Sequence, residues 1–449
     1  MQSFEINKSD LLKLKVALDG NDADLQKVLQ EYHASEIAIL FERLSVEERE
    51  KIINILPSDV ASDVISEMDE EHHPEQILFN LHPEKRSEII EELDYDDATD
   101  IISQLEEHEQ QQVLDHIDQE DAINIRALLT YDEDTAGGLM NTDVIKLNVK
   151  LNKKEALEEV IRLSEEMEEF YTIYAVNDQD ILQGIVSLKD IIKARPETMV
   201  FDLLKTDYVF VKAEVDQEEV ARLFSQYNLT SIPVVNDYLK LLGRITVDDI
   251  IDVMEAENTE DILKISGVSE DEELSGNWKD AVKSRLPWLV INLATAFLAA
   301  SVIRHFSGLE AKLPIIAAYM TIIAGMGGNA ATQALAVTVR RISLNDLTDA
   351  QAYRTVLKEF SVGLINGAVN GVIVFIFALW YDANPMLGLV LFLAMTGNLI
   401  VAGLTGASIP LVLKRVGIDP AVASSIIITT FTDCIGFLLP LWLASALLL

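Results

Sequence analysis

The sequence predicts a multidomain chain: an all-α superhelical N-domain, an α/β tandem pair, a connecting helix and an α-helical transmembrane domain with five spans. Three observations carry that reading. Charge divides the chain in two, short periodicities repeat through the front, and long apolar stretches fill the back.

Of 449 residues, 74 are Asp or Glu and 35 are Lys or Arg, giving a formal net charge of −39. From Leu286 onward 8 basic side chains accompany 7 acidic ones, whereas residues 1–285 hold 27 against 67. Two solvents explain the split, water for the front and lipid for the back. So acidic a surface repels nucleic acid and excludes it as a partner. Self-repulsion on this scale calls for counter-ions, and divalent cations suit it. Cys434 is the only cysteine, so neither an intrachain disulfide nor a thiolate metal cluster forms. The opening MQSFEINKSD is polar rather than a secretory signal, and the front is expected in the cytoplasm.

Residues 1–133 read as an acidic helical superhelix. Leu44, Leu56, Met68, Leu81, Leu93, Leu105, Ile117 and Leu129 recur about every twelve residues, with one slip. Each precedes a polar turn and an apolar helical stretch, as in LHPEKRSEII, LDYDDATDII and LEEHEQQQVL. Gly and Pro are scarce and helix formers abundant. Short helices at that period stack into a superhelical array; a non-repetitive bundle is the other arrangement the pattern admits.

Residues 134–198 and 199–257 change character. VIKLNV, KKEALEEVIRLSEE, YTIYAVN and ILQGIVSLKDII are followed by YVFVKAEV, QEEVARLFSQYN, SIPVVN and KLLGRITVDDII. Two copies of one β-α-β-β-α unit predict a tandem pair with a shared core. The pair resembles cystathionine-β-synthase (CBS) domains in GIVSLKD (Gly184–Asp190) and GRITVDD (Gly243–Asp249). That resemblance implies an adenine nucleotide such as ATP held at Ser187, Asp190 and Thr246. The two hydroxyls equally suit caps on the helices that follow.

Residues 258–284 form the connecting segment. An acidic helix, IIDVMEAENTEDILKISG, leads into the loop VSEDEELSGN and the amphipathic WKDAVKSRLPW, a position suited to mechanical coupling.

Residues 285–449 form the membrane domain. Its apolar stretches, about Leu286–Phe306, Leu313–Val339, Phe360–Trp380, Pro385–Leu413 and Pro420–Leu449, each reach the roughly 20 residues that cross a hydrocarbon core. Lys279, Lys283, Arg285, Arg340, Arg341, Arg354, Lys358, Lys414 and Arg415 flank one side, and only Arg304 and Lys312 the other. The positive-inside rule then places the N-terminus in the cytoplasm and the C-terminus outside. Small residues and amides interrupt the spans: GMGGNAATQ in the second, Gly363, Gly367 and Gly371 in the third, TGNLIVAGLTGASIP in the fourth. Close helix packing accounts for most of the glycines, and for Asn329 less well. Asp433 stands deep in the fifth span, where no Lys or Arg accompanies it. A buried carboxyl there reads as part of a cation or proton pathway, or as a protonated structural group.

Taken together, GMGGNAATQ, FTDCIGF and TVDDIIDVMEAENTED, in this order, resemble the MgtE family of Mg2+ channels along nearly the whole chain. The resemblance implies a homodimer in the lipid bilayer of the plasma membrane, with Asp433, Asn329 and a carbonyl at Thr429 around a shared Mg2+ path. It implies regulatory Mg2+ at Asp96 and Asp100, Asp216 and Glu218, Asp249 and Asp252, and Glu257, Glu260 and Asp261. Asn228 stands where the family pattern has an acid. The expected function is Mg2+ uptake, closed at high and open at low internal Mg2+. Transport of Co2+ or Mn2+, and a non-conducting Mg2+ or nucleotide sensor, are the alternatives. No P-loop, Cys/His cluster or nucleophile motif points to an enzyme.

Overall fold

The computed structural model describes residues 8–41, 43–69, 72–164, 172–269, 278–306, 314–344, 348–420 and 424–448. The chain divides into two compact units, Met1–Met254 and Glu255–Leu449.

The first unit opens with short helices: α1 (Lys8–Leu18), α2 (Asp22–Leu29), α3 (Ala34–Phe41), α4 (Val46–Ile55), α5 (Ser58–Ser66), α6 (Pro74–Asn80), α7 (Pro83–Glu92), α8 (Tyr95–Ser103), α9 (Glu107–Leu114) and α10 (Gln119–Leu128). Helices this short are marginal alone and depend on packing. They pack in alternation, α2, α4, α6, α8 and α10 forming one row and α3, α5 and α7 another. The recurring leucines explain the spacing. Leu56, Leu81 and Leu93 end their helices in extended backbone and enter the core that the rows share. Two arginines add a second repeat: Arg49 donates to the Phe41 carbonyl (2.9 Å) and Arg86 to the Phe79 carbonyl (2.9 Å), each tying down the end of a preceding helix.

The tandem pair follows. β1 (Lys146–Asn148), α11 (Lys153–Ser164), β2 (Ile173–Val176), β3 (Leu182–Val186) and α12 (Leu188–Lys193) form the first copy. β4 (Val211–Lys212), α13 (Gln217–Tyr227), β5 (Ser231–Val235), β6 (Leu241–Thr246) and α14 (Val247–Ser266) form the second. In each, a helical crossover makes the first two strands parallel and a hairpin makes the last two antiparallel. The central strands, IYAV and SIPVV, are buried throughout. The hairpins meet tip to tip: the Leu182 N–H donates to the Leu239 carbonyl (2.9 Å) and the Leu241 N–H to the Asp180 carbonyl (3.0 Å). Between the copies, the buried Tyr174 and Ser231 hydroxyls are 2.5 Å apart.

The second unit holds the long helices: α15 (Trp278–His305), α16 (Ile315–Leu344), α17 (Asp349–Tyr381), α18 (Pro385–Arg415) and α19 (Ser424–Leu447). All five are long and apolar enough to cross a membrane. α18 is the hub and packs on α16, α17 and α19. The glycine ladder of the third span faces it. A Cβ on Gly363 would lie 2.5 Å from the Leu399 carbonyl oxygen, one on Gly367 2.8 Å from Thr396 Cα, and one on Gly371 2.9 Å from the Phe392 ring. These helices touch backbone to backbone, as small-residue motifs allow.

Two segments differ from the sequence reading. The connecting helix begins at Val247, directly after β6 and three residues before the IIDVMEAENTEDILKISG stretch, because nothing between Thr246 and Ser266 breaks the helical pattern. The amphipathic WKDAVKSRLPW belongs to α15, with Pro287 inside the helix. Most of the loop VSEDEELSGN lies outside the described residues.

Candidate cation sites

In the first unit, α8 and the first turn of α14 bring carboxylates together. Asp96 is 8% exposed. Burial lifts its carboxyl well above the usual range, and the charges of Asp97, Asp249, Asp94 and Asp100 push it the same way. Burial, then Asp94, Asp249, Asp100 and Glu67, raises Asp97 to about 7. Asp249 is raised by burial, against two bonds that favour its ionised form: the Thr246 hydroxyl (2.5 Å) and N–H (3.1 Å) both donate to its Oδ2. The stabilising contact on Asp96 is the Asp97 N–H, 3.2 Å from its Oδ1. Buried like charges hold protons or attract a cation.

Of the remaining sequence candidates in this unit, Asp100 lies close enough to act on Asp96 and Asp97, and the others stand apart from that group. Asp216 caps α13 by accepting from the Glu218 N–H (2.9 Å). Asn228 ends the same helix in left-handed backbone (φ 51°), a conformation that Asn tolerates well, which accounts for an amide at that position. Asp100 and Asp252 are exposed. Among the described residues, no three His, Cys, Asp or Glu side chains gather in a geometry that would hold a metal ion directly. Ser187 begins α12 without a side-chain cap bond, Asp190 pairs with Lys205 (3.5 Å), and the Thr246 hydroxyl is taken up by Asp249.

In the second unit, the end of α14 is bound to one end of the long helices. Asn258 accepts from Arg340 (2.8 Å), Asp261 accepts from the Ser343 hydroxyl (3.0 Å), and Lys264 lies 3.0 Å from Asp419 while also pairing with Glu260. Burial raises the Asp261 carboxyl, and the Ser343 bond opposes it. The Arg415–Asp349 ion pair joins the C-terminus of α18 to the N-terminus of α17 at that same basic end.

Within the spans, Asp433 is half-buried on α19 beside the fully buried Thr432, and Asn329 is exposed on α16. The Thr429 hydroxyl donates to the Ser425 carbonyl (2.7 Å), and the Thr429 carbonyl already accepts from the Thr432 hydroxyl (3.0 Å). α16 and α19 run antiparallel, with Ala324 against Gly436 and, further along, Ala331, Leu335 and Val339 in one cluster with Ile428. Asn329 is five residues past that crossing and Asp433 three before it. At about 1.5 Å per residue both lie on one side of it, about 7 and 5 Å away.

Sequence reasoning missed four residues. Asp97 adjoins a candidate but looked like a solvated helix face, and Asp419 stood in a short loop. Lys264 offered no signal as a lone base in an acidic helix. Asn398 had one: an amide within TGN in the fourth span. It is fully buried and donates to the Ile323 carbonyl of α16 (2.8 Å).

Comparison with known proteins covers most of the chain. Residues 320–443 match the MgtE family profile, described as a divalent cation transporter, and residues 32–134 match the MgtE intracellular N domain. Residues 136–197 and 200–256 match CBS domains. The magnesium transporter MgtE of Thermus thermophilus is 32% identical over 445 residues, covering 97% of this chain and 99% of that one. The magnesium transporter MgtE of Enterococcus faecalis is 36% identical over 326 residues, 73% of this chain and 72% of that one. Among solved structures, the cytosolic domain of the Mg2+ channel MgtE in complex with ATP is 34% identical, with a TM-score of 0.51, over 54% of this chain and 99% of that one. The soluble part of a magnesium transporter is 25% identical, with a TM-score of 0.50, over 56% of this chain and 98% of that one.

Proposed function

The chain belongs to the MgtE family of magnesium transporters, and from that premise we propose that it is a Mg2+-selective uptake channel, closed at high and open at low cytoplasmic Mg2+. The family's activity is transport and not catalysis. The observation that carries the gating is the group of the buried Asp96 with the partly buried Asp97 and Asp249.

Two carboxylates about 4 Å apart repel by about 4 kcal/mol at an effective dielectric of 20. The donor set is all oxygen, which fits Mg2+ and disfavours softer metals. When bound there, Mg2+ supplies the positive charge that cancels this repulsion. Asp96, Asp97 and Asp249 would hold it, with Asp100, Asp216, Glu218, Asp252, Glu257, Glu260 and Asp261 serving further sites. At low Mg2+ the carboxylates drive α8 and the start of α14 apart. α14 is one helix of 20 residues, with Asp249 in its first turn and Glu260 and Asp261 in its last turns. It is the proposed lever between sensing and the pore.

In the pore, Asp433 and Asn329 are the proposed ion-facing groups. Both have exposure on the surface of a single copy, and an ionised carboxylate facing lipid costs about 3 kcal/mol or more. A second copy meeting this face, with the permeating Mg2+ between the two carboxylates, removes that cost and supports the homodimer. The Thr429 carbonyl contributes only where the Thr432 hydroxyl turns away. The basic residues at the α14 end of the long helices support a cytoplasmic N-terminus and an external C-terminus.

The ATP held by the 34% identical cytosolic domain supports ATP as a ligand of the CBS pair, at Ser187, Asp190 and Thr246. Because the Thr246 hydroxyl donates to Asp249, a hydrogen bond would join the nucleotide and cation sites.

The test is Mg2+ entry into liposomes that hold the full chain and a Mg2+ indicator. Asp433→Asn should abolish entry. Asp249→Asn with Asp252→Asn should conduct but lose inhibition by Mg2+ on the cytoplasmic side. Undiminished entry through Asp433→Asn would overturn the pore assignment, and intact Mg2+ protection of the front unit from protease in the double variant would overturn the gating.

A further inference from the structure

We propose that Asn398 is a positioning residue for ion selectivity, pinning α16 and α19 to α18 and so setting the spacing between Asn329 and Asp433. The inference rests on the pore reading above, because it assigns that site a support that no carboxylate motif marks.

Three observations carry it. Asn398 is fully buried at the middle of the hub helix, and its Nδ2 donates to the Ile323 carbonyl across the α16–α18 interface (2.8 Å). Its Oδ1 is buried and, among the described residues, accepts no hydrogen bond. A buried amide oxygen without a partner is rare and calls for an explanation in the packing around it. The third observation is the space around it. A Cβ on Gly327 would overlap the Asn398 amide, and one on Gly436 would lie 3.2 Å from Nδ2 and 2.8 Å from Ala324 Cα.

The glycines on both helices therefore leave room for one amide where three helices meet. Gly327 is two residues before Asn329, and Gly436 three after Asp433. Rotation or sliding of α16 breaks the bond to Ile323, and approach of α19 is stopped by the amide itself. Asn398 does not face the ion; it acts through the backbone at Ile323 and the surface of Gly436. A hydrated divalent ion is discriminated by the placement of its few oxygen ligands, so a change in that spacing alters selectivity before it alters folding.

Wild type, Asn398→Ala, Gly327→Ala and the double variant, each as the full chain, are reconstituted in phosphatidylethanolamine/phosphatidylglycerol liposomes. Entry of Mg2+ and of Ca2+ is measured separately, with thermal unfolding in detergent as the folding control. Misplacing a positioned group by an ångström costs up to about 100-fold in rate, so we expect each single variant to lower the Mg2+/Ca2+ entry ratio by about tenfold. The double variant should be no worse than the poorer single, because both remove the same contact. A wild-type ratio in folded Asn398→Ala, or multiplied losses in the double, would overturn the inference. Should Asn398→Ala not fold, Gly327→Ala decides alone, and a wild-type ratio there overturns it. Asp433→Asn in the same assay separates the two readings. Entry retained in Asp433→Asn sinks the pore assignment and this inference with it, whereas entry lost there with the Asn398→Ala ratio unchanged sinks only this one.

Discussion

Asp97→Asn removes a charge from the acidic group on α8, and its effect is calculable. Its carboxyl is raised from 3.8 to about 7, with burial the first cause and Asp94 the largest charge. A group raised in the folded state binds protons more tightly there than in the unfolded chain. Its favourable contribution is complete below about pH 4 and is lost as pH rises through 7. A displacement of this size corresponds to about 4 kcal/mol as an upper bound. Coupling to Asp96 and Asp249 divides that, and we expect about 2 kcal/mol between pH 5 and 8. In EDTA the wild-type front unit should therefore lose stability over that range, while Asp97→Asn should lose markedly less and be the more stable at pH 8. Hydrogen exchange of the α8 amides in the detergent-solubilised full chain reads this directly. Mg2+ at about 100 times its dissociation constant should restore about 2.7 kcal/mol to wild type and much less to the variant. Identical pH slopes for the two proteins in EDTA would refute the reasoning.

Other substitutions reach different parts of the molecule. Tyr174→Phe removes the hydroxyl pair with Ser231 and should lower the unfolding free energy of the front unit by about 1 kcal/mol, read by urea-dependent proteolysis. Gly367→Leu forces a branched side chain against Thr396 and should destabilise the long-helix unit by about 3 kcal/mol or more, seen as lost monodispersity in detergent. Lys264→Met leaves Glu260 and Asp419 without their shared ammonium. Protease cleavage near residue 266 in EDTA should then increase, and the Mg2+ concentration that suppresses it should fall. No change in either would show that this ion pair does not hold the helix end.

Legibility in the sequence followed the range of the interactions. The leucines at Leu56, Leu81 and Leu93 were readable because each ends a local helix and enters the core at a fixed period. The β-α-β-β-α order was likewise readable, since alternation and turn residues are local signals. What brings Asp96 beside Asp249 is packing between elements about 150 residues apart, so the sequence offered both as acids and could not say that their charges would meet. Asp97 was hidden for the same reason. α14 starts three residues before its quoted stretch because a strand that runs straight into a helix leaves no loop to mark the boundary. Asn398 lay within a recognised small-residue stretch, but its partner carbonyl is on another span, and no motif encodes a backbone acceptor.

The fit of α17 onto α18 limits what can move. Contacts at Gly363, Gly367 and Gly371 engage backbone on the opposite helix at every fourth position, like teeth of matched racks. A slip by one residue would drive side chains into main chain, so no neighbouring register offers a stable stop. These two helices then behave as a single keel. α15, packed mainly along α19, has the smallest buried share of the five apolar helices and takes no part in that keel.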